Sequence, residues 1–198
     1  DTGAIINFDY AVIATGSSYP SFQIGKSANA LDIEQRHQHV ADENQKLTKA
    51  KNVVIIGGGP VGVELAGEIA DYYPDKNVTL VQKSNRLLNG FRQKTSDTSE
   101  KLLKKLGVNV LLNETTTENE YGELVAKNSN TVINADIVYN CVGVKVNTGW
   151  LDGNFTKALN SQGQLMVDEY LRVTPYNTVF AIGDCADIKE AKLGYLAD

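Results

Sequence analysis

Residues Val53–Ala70 read VVIIGGGPVGVELAGEIA, and this stretch indicates the fold. Its first residues, Val53–Ile56, form an apolar β-branched run of the kind found in a buried parallel strand. An amphipathic helix pattern follows over Val61–Tyr73, and a second apolar strand over Val78–Val81. Strand, helix and strand at this spacing predict an α/β protein with a parallel sheet.

Three glycines at the strand-to-helix turn match the pattern G-x-G-x-x-G, and each has its own expected task. Gly57 makes the tight turn, Gly59 lets the backbone approach a pyrophosphate, and Gly62 allows close helix packing. The pyrophosphate is expected at the helix N-terminus, at Pro60–Val63, where free N–H groups and the helix dipole favour an anion. Pro60 fits an early helical position because it has no N–H to leave without an acceptor. The alternative is a glycine-rich turn without a ligand.

The end of the second strand is where NAD-selective proteins carry an acidic residue on the adenosine ribose. Gln82 occupies that position, followed by Lys83 and, nearby, Arg86. A neutral amide can donate to a 2′-phosphate or accept from a ribose hydroxyl. We therefore expect NADPH to be tolerated, with NADH also accepted. Lys83 is either a phosphate ligand or an ordinary exposed lysine.

Glu64 has two readings. In the first turn of the helix its carboxylate would interact favourably with the helix dipole. Alternatively, it points along the cofactor cleft towards the nicotinamide.

The rest of the chain adds further secondary-structure predictions. In chain order they are a strand or strands over Ala4–Ala14, a loop over Gly16–Gly25, a helix over Ser27–Ala50, a helix over Lys94–Leu106 that buries Leu102, Leu103 and Leu106, and a β-meander over Thr115–Ile133.

Composition excludes several function classes. The 198 residues carry a net charge of −5, which argues against nucleic-acid binding. Cys141 and Cys185 form neither a CxxC motif nor a zinc cluster, so no metal site is expected. No apolar run is long enough to cross a bilayer. The chain begins at Asp1 without a signal-peptide pattern, so we expect an internal fragment of a cytoplasmic protein, with membrane contact only through segments outside this sequence.

Three further segments carry a family resemblance. They are Tyr10–Gly16 (YAVIATG), Tyr139–Gly143 (YNCVG) and Val179–Asp184 (VFAIGD). In this order around the central glycine motif they resemble the two-dinucleotide-binding-domain flavoproteins, the pyridine nucleotide-disulfide oxidoreductase superfamily. The resemblance is closest to the apoptosis-inducing-factor-like branch and its ferroptosis-suppressor type of NAD(P)H:quinone oxidoreductase.

The resemblance implies a Rossmann-like FAD/NAD(P)-binding fold. An NAD(P)H domain, residues 50–147, would be inserted in a discontinuous FAD domain formed by residues 1–49 and 148–198. The FAD domain would be truncated here, because the family's N-terminal glycine fingerprint is missing. A helix from Lys192–Gly194 would aim its N-terminus at the flavin.

The resemblance also assigns cofactor contacts. Thr15 and Gly16 would close the first FAD piece. Asp184, after Gly183, would accept a hydrogen bond from the FAD ribityl or pyrophosphate region, whereas without the resemblance it is equally well a helix N-cap. Gly143 would face the nicotinamide half of NAD(P)H.

The function implied is hydride transfer from NAD(P)H to FAD, then to a small electron acceptor such as a quinone. No catalytic residue is assigned, because the cofactors carry the chemistry and the protein positions them. The cysteines match no redox pair of the disulfide-reductase branch, which argues against a protein disulfide relay. Alternatives are another acceptor (ferredoxin, ascorbate radical or a disulfide) or a non-catalytic nucleotide-binding or redox-sensing module.

Overall fold

The computed structural model describes residues 3–19, 32–151, 153 and 155–189. It divides the chain into two compact units. Tyr19–Gly143 form one, the continuous unit. Asp1–Ser18 and Val144–Asp198 together form the other, the discontinuous unit.

The described residues form three α-helices and thirteen short strands. The helices are α1 (Ile33–Lys49), α2 (Pro60–Tyr72) and α3 (Gln93–Lys105). The strands are β1 (Ala11–Ile13), β2 (Ser17–Ser18), β3 (Asn52–Ile56), β4 (Asn77–Gln82), β5 (Asn109–Leu112), β6 (Thr116–Glu118), β7 (Leu124–Ala126), β8 (Thr131–Val132), β9 (Ile137–Asn140), β10 (Lys145–Val146), β11 (Leu165–Met166), β12 (Val179–Ala181) and β13 (Ala186–Asp187). Three 3-10 turns cover Gly149–Leu151, Thr156–Ala158 and Gly183–Cys185. Over this part of the chain, none of the helices combines the length and apolarity that crossing a bilayer requires.

The continuous unit is built on a four-stranded parallel sheet in the order β5-β4-β3-β9. One of its two central strands, β3, is buried on both faces, with Val53, Val54 and Ile55 at 0% exposure. Such burial explains why the sequence of β3 is uniformly apolar rather than alternating. The predicted α/β fold with a parallel sheet is confirmed.

The two faces of this sheet are covered differently. Helix α2 packs on one face, with Ala66 and Ile69 joining Val53 and Ile55 in a buried cluster. The antiparallel meander β6-β7-β8 lies against the other face, where Ala126 and Ile133 join Val54 and Val81 in a second cluster. The predicted meander is confirmed.

Helix α3 buries a different stripe from the one predicted. Leu103 is buried, as expected, but Leu102 and Leu106 are 55% and 41% exposed. The buried stripe runs through Ser96 and Leu103, which are seven residues apart and so lie on one helix face. Leu102 and Leu106 fall beside that face, so the prediction of their burial is wrong.

Helix α1 is part of the continuous unit. It begins at Ile33, where the Asp32 side chain caps it by accepting a hydrogen bond from the Gln35 N–H at 2.8 Å. The first part of the predicted helix, residues 27–31, lies outside the described residues. At its other end, Lys76 Nζ donates to the Ala50 carbonyl at 2.6 Å. The contacts therefore group α1 with residues 19–143, whereas the predicted boundary fell at residues 49 and 50. The assignment of cofactors to domains stays a prediction.

The discontinuous unit joins the two ends of the chain. β1 pairs in parallel with β12, β2 pairs antiparallel with β10, and β11 pairs in parallel with β13. Its core includes Ile13, Leu151, Leu165 and Val173. The strand predicted over Ala4–Ala14 is correct only in its last part, since residues 4–10 have no partner strand among those described. The predicted loop after Gly16 contains the short strand β2.

Candidate nucleotide-binding site

The chain leaves β3 through a glycine that no other residue could replace without strain. The Gly57 N–H continues the ladder by donating to the Val81 carbonyl at 2.8 Å. Its φ is +111°, a left-handed value, and an added Cβ would lie 2.6 Å from Val142 Cγ1. Gly57 therefore makes a turn for which a side chain has neither the backbone conformation nor the space.

Gly62 and Gly59 have opposite surroundings. A Cβ on Gly62 would lie 1.8 Å from the Gly57 carbonyl oxygen, so this glycine allows the helix to pack against the turn. A Cβ on Gly59 would meet no atom within 4 Å. The first and third glycines of the motif are needed by the fold, whereas the second opens onto unfilled space.

The open side at Gly59 adjoins the N-terminus of α2. Gly59 is the N-cap, Pro60 begins the helix, and the Val63 N–H makes a helical bond to the Gly59 carbonyl at 3.0 Å. The N–H groups of Val61 and Gly62 lie in the first turn of the helix, where no carbonyl of the helix can accept from them. Together with the helix dipole they form a corner suited to an anion.

A cleft of about 350 Å³ opens at the carboxyl ends of the parallel strands. It brings together predicted residues from the glycine turn and the end of β4, Gly57, Gln82 and Lys83. The remaining lining residues are Ile56, Val81, Glu114, Thr115, Thr116, Asn140 and Val142. Ligands of open α/β sheets bind in this position.

Several predicted residues lie beside this cleft rather than in its lining. Gly59 is the N-cap of α2, and Pro60, Val61 and Gly62 belong to its first turn; none of the four is in the lining. Gly143 directly follows the lining residue Val142, has a φ of +79°, and would place a Cβ in open space. Which of these residues contact a ligand stays a prediction.

Glu64 does not occupy the first turn of α2. The helix begins at Pro60 and has no acidic residue in its first turn. Glu64 is the fifth helical residue and is exposed. The interpretation of Glu64 as a favourable charge at the helix start is therefore wrong. It does not line the cleft either.

Gln82 is held by contacts within the protein. Its Oε1 accepts from the Gly58 N–H at 3.1 Å, and its Nε2 donates to the Arg86 carbonyl at 3.3 Å. Gly58, which the motif leaves unspecified, packs tightly: a Cβ there would lie 2.6 Å from Leu87 Cδ2. The role of Gly58 was missed in the sequence, where the available signal was a glycine at the unspecified middle position of GGG. Lys83 is exposed at the cleft edge.

Glu114 is a buried acid of the cleft wall that sequence reasoning also missed. Hydrogen bonds from the Ser129 side chain and from the backbone N–H groups of Asn128 and Ser129 hold its pKa below the usual value. Its two carboxylate oxygens accept those backbone bonds at 2.8 and 2.9 Å. Glu114 thus carries a negative charge at neutral pH and ties the meander to the end of β5. Its only sequence signal was its position shortly after a strand.

Cys141 follows β9 beside the glycine turn. Its N–H donates to the Ile56 carbonyl at 2.8 Å, and burial raises the pKa of its thiol to about 11. The thiol is therefore protonated at neutral pH and a poor nucleophile. Cys141 and Cys185 are both free cysteines.

A larger groove of about 620 Å³ lies along the edge of the sheet in the continuous unit. It extends from the first residues of β3, β4 and β5, Asn52, Asn77 and Asn109, to the meander. None of the predicted site residues lines it. It runs along the edge strand β5 and reaches Glu114, which also lines the cleft.

In the discontinuous unit, the two predicted FAD segments meet. Thr15 and Gly16 follow β1, and Gly183 and Asp184 follow β12, the parallel partner of β1. The Ser17 hydroxyl donates to Asp184 Oδ2 at 2.6 Å across 167 residues of sequence. Gly16 and Gly183 have φ values of +65° and +70°, and a Cβ on either would meet nothing within 4 Å. Asp184 lies within a 3-10 turn, and the helix predicted from residue 192 lies outside the described residues.

The parallel sheet and its glycine corner define a Rossmann-like dinucleotide-binding protein of the α/β class. The chain belongs to the pyridine nucleotide-disulphide oxidoreductase family, whose family model matches residues 1–195. The predicted superfamily is thereby confirmed, and membership implies binding of FAD and NAD(P)H.

Individual relatives support the same branch. Ferroptosis suppressor protein 1 of Homo sapiens is 35% identical over 208 residues, which cover 98% of this chain and 54% of the relative. Apoptosis-inducing factor homolog B of Dictyostelium discoideum is 32% identical over 222 residues, which cover 100% of this chain and 57% of the relative. The structure of NDH2 from Plasmodium falciparum in complex with NADH superposes with a TM-score of 0.62 at 25% identity, covering 91% of this chain and 47% of that one. The chain spans about half the length of the curated relatives it matches.

Proposed function

We propose that the chain is a fragment of an FAD-dependent NAD(P)H oxidoreductase that passes electrons to a quinone-like acceptor. The observation that carries this proposal is the contrast at the glycine corner. A Cβ added at Gly57 would lie 2.6 Å from Val142 Cγ1, and one added at Gly62 would lie 1.8 Å from the Gly57 carbonyl oxygen. A Cβ added at Gly59, beside the start of α2, would meet only open space. A turn that needed glycine only for folding would have no reason to leave the middle glycine uncovered.

In this proposal the nucleotide pyrophosphate lies against Gly59 and the first amides of α2. The N–H groups of Val61 and Gly62 donate to its oxygens, and the helix dipole stabilises its charge. The adenosine half extends along the cleft towards Gln82 and Lys83, and the nicotinamide half towards Gly143. Backbone groups supply most of this binding, so side-chain chemistry is not required of the glycine corner.

The discontinuous unit would hold the flavin. The turns after β1 and β12 bring the backbone at Gly16 and Gly183 close to the Asp184 carboxylate, which can accept from a hydroxyl of the flavin's ribityl chain. Ser17 orients that carboxylate through its 2.6 Å hydrogen bond. Bound FAD would supply the hydride-accepting chemistry, and the protein's part is to bind and orient.

The acceptor is proposed from the resemblance to NAD(P)H:quinone oxidoreductases. The state of the thiols supports a route that avoids a protein disulfide. Cys141 and Cys185 are free, and the Cys141 thiol has its pKa raised to about 11. An acceptor that is reduced directly by the flavin fits this arrangement.

This chain alone is expected to be inactive, because it lacks the glycine fingerprint for the FAD pyrophosphate. Reconstitution of the full-length protein with FAD, followed by anaerobic addition of NADPH, therefore tests the proposal. We expect the visible absorbance of the bound flavin to bleach and to recover when a short-chain ubiquinone analogue is added. Ferredoxin, ascorbate radical and a disulfide serve as comparison acceptors. Nucleotide binding without any flavin binding would instead favour the non-catalytic module. Failure to bind either cofactor would refute the proposal.

A further inference from the structure

The Gln82 side chain spans two loops of the nucleotide cleft. Its Oε1 faces the Gly58 N–H at 3.1 Å and its Nε2 faces the Arg86 carbonyl at 3.3 Å. If the amide were reversed, its Nε2 would face the Gly58 N–H and its Oε1 would face the Arg86 carbonyl, so neither hydrogen bond could form. The side chain thereby joins the glycine turn to the loop that follows β4.

Two consecutive peptide groups of the glycine turn are fixed by these contacts. The Gly58 N–H is bound by Gln82, and the Gly58 carbonyl accepts from the Leu88 N–H at 2.8 Å. In a planar trans peptide the N–H points away from the C=O. The Leu88 bond therefore directs the Gly59 N–H away from this loop. By the same rule, the Gln82 bond turns the Gly57 carbonyl away from Gln82, and that carbonyl lies 1.8 Å from where a Gly62 Cβ would be.

The loop after β4 is rigid enough to act as the fixed side of this connection. The Arg86 guanidinium donates to the carbonyls of Asn89 and Phe91 at 2.7 and 3.2 Å, and to Gln93 Oε1 at 2.9 Å. Leu87 is buried at 0% exposure beneath it. The guanidinium of Arg86 is therefore engaged within the loop.

We propose that Gln82 is a positioning residue that clamps the glycine turn against the loop 83–91, and that it does not discriminate between NADPH and NADH. The clamp holds the amides that face the pyrophosphate, a group that both coenzymes share. Loss of the clamp therefore lowers the affinity for both coenzymes by the same factor. This inference rests on the proposed function, since it requires a pyridine nucleotide at the glycine corner.

The test is the affinity of Gln82→Met for NADPH and NADH, measured by titration of nucleotide fluorescence. Methionine has a similar length and shape but makes neither hydrogen bond. We expect both dissociation constants to rise about tenfold, as for the loss of two neutral hydrogen bonds, with their ratio unchanged within about twofold. A selective loss of NADPH affinity would show that Gln82 reads the 2′-phosphate and would overturn the clamp, as would unchanged affinities.

Two further variants keep the test decisive. Arg86→Met removes the bracing of the loop while leaving the Arg86 carbonyl in place, and it should also weaken both coenzymes equally. It carries the test if Gln82→Met fails to fold. Gln38→Met, an exposed glutamine on α1, is the matched control and should change neither constant. A variant that is less stable but still folded keeps its intrinsic affinity. If the folded fraction is unchanged, an equal rise in both dissociation constants therefore reports on the clamp.

The outcome also separates the clamp from the proposed function. If the unaltered protein binds neither coenzyme, the proposed function fails and the clamp with it. If the unaltered protein binds both and Gln82→Met and Arg86→Met bind as well as it does, only the clamp fails.

Discussion

The contrast between Gly59 and Gly62 predicts opposite outcomes for two small substitutions in one motif. Gly59→Val adds a side chain where a Cβ meets nothing within 4 Å, and the Gly59 backbone, at φ −78° and ψ −177°, is one that valine adopts readily. Gly62→Ala adds a single carbon 1.8 Å from the Gly57 carbonyl oxygen. The first change should leave the fold and remove the ligand; the second should damage the fold.

The magnitudes follow from these surroundings. Replacing a glycine N-cap by valine costs about 1 kcal/mol or less of folding stability. In the complex, however, the valine methyl groups would compete with the pyrophosphate, and overpacking of about 3 kcal/mol corresponds to a loss of affinity on the order of 100-fold. Gly62→Ala overpacks the turn itself, and a cost of about 3 kcal/mol would lower the unfolding midpoint by about 6–12 °C in a chain of this size.

Two measurements on each variant suffice. Thermal unfolding followed by circular dichroism reports the fold, and titration with NADPH reports the site. We expect Gly59→Val to unfold within a few degrees of the unaltered protein, on the order of the cap cost above, while its NADPH titration is flat over the same concentration range. Gly62→Ala should unfold early.

Either half of this result can refute the reasoning. Unchanged NADPH affinity in Gly59→Val would mean that the pyrophosphate does not lie at the start of α2. An unchanged unfolding midpoint in Gly62→Ala would mean that the helix does not pack against the turn as closely as the structure shows.

Three other features give predictions of their own. Because the pKa of Glu114 is lowered, its contribution to stability is present above the usual value of 4.5 and is lost as the pH falls below it. The difference in unfolding midpoint between the unaltered protein and Glu114→Gln should therefore close below that pH. A difference independent of pH would contradict the assignment. Because the Cys141 thiol has a pKa of about 11 and Cys185 is buried, Ellman's reagent at mildly alkaline pH should label Cys141 on the order of 100-fold more slowly than a free thiol and Cys185 only after unfolding. Removal of the Asp184 carboxylate by Asp184→Ala should lower flavin content about tenfold or more, measured by absorbance after gel filtration, whereas Ser17→Ala should have a smaller effect; equal flavin content in both variants and the unaltered protein would argue against this carboxylate as a flavin contact.

The sequence predicted most of the continuous unit because its signals are local. The run Val53–Ile56 is apolar on both faces of its strand, the glycines follow at once, and α2 then shows a helical period. Each feature depends only on near neighbours in sequence. The same holds for the meander, whose turns carry glycine and asparagine.

The errors arose where a side chain depends on distant parts of the chain. The position of Leu102 on α3 could not be resolved from a helical stripe that fits several rotations. The contacts of Gln82 depend on the loop of Arg86, and those of Glu114 on Ser129, so neither could be read from local sequence. Glu64 was expected in the first turn because the helix was predicted to begin at Val61, one residue after its observed start at Pro60.

The pairing of β1 with β12 bears on how the protein is made. Ser17 and Asp184 touch across 167 residues, so a ribosome releases β1 long before its partner strand. The continuous unit, by contrast, is complete as soon as its own stretch has left the exit tunnel, and domains generally fold as units during synthesis. Closing so long a loop is slow, and a prefolded insert that holds part of the intervening chain compact would shorten the distance to be searched. Newly made chains should therefore pass through a state in which the continuous unit is folded and β1 still lacks its partner strand. Chaperones would recognise the chain at this stage.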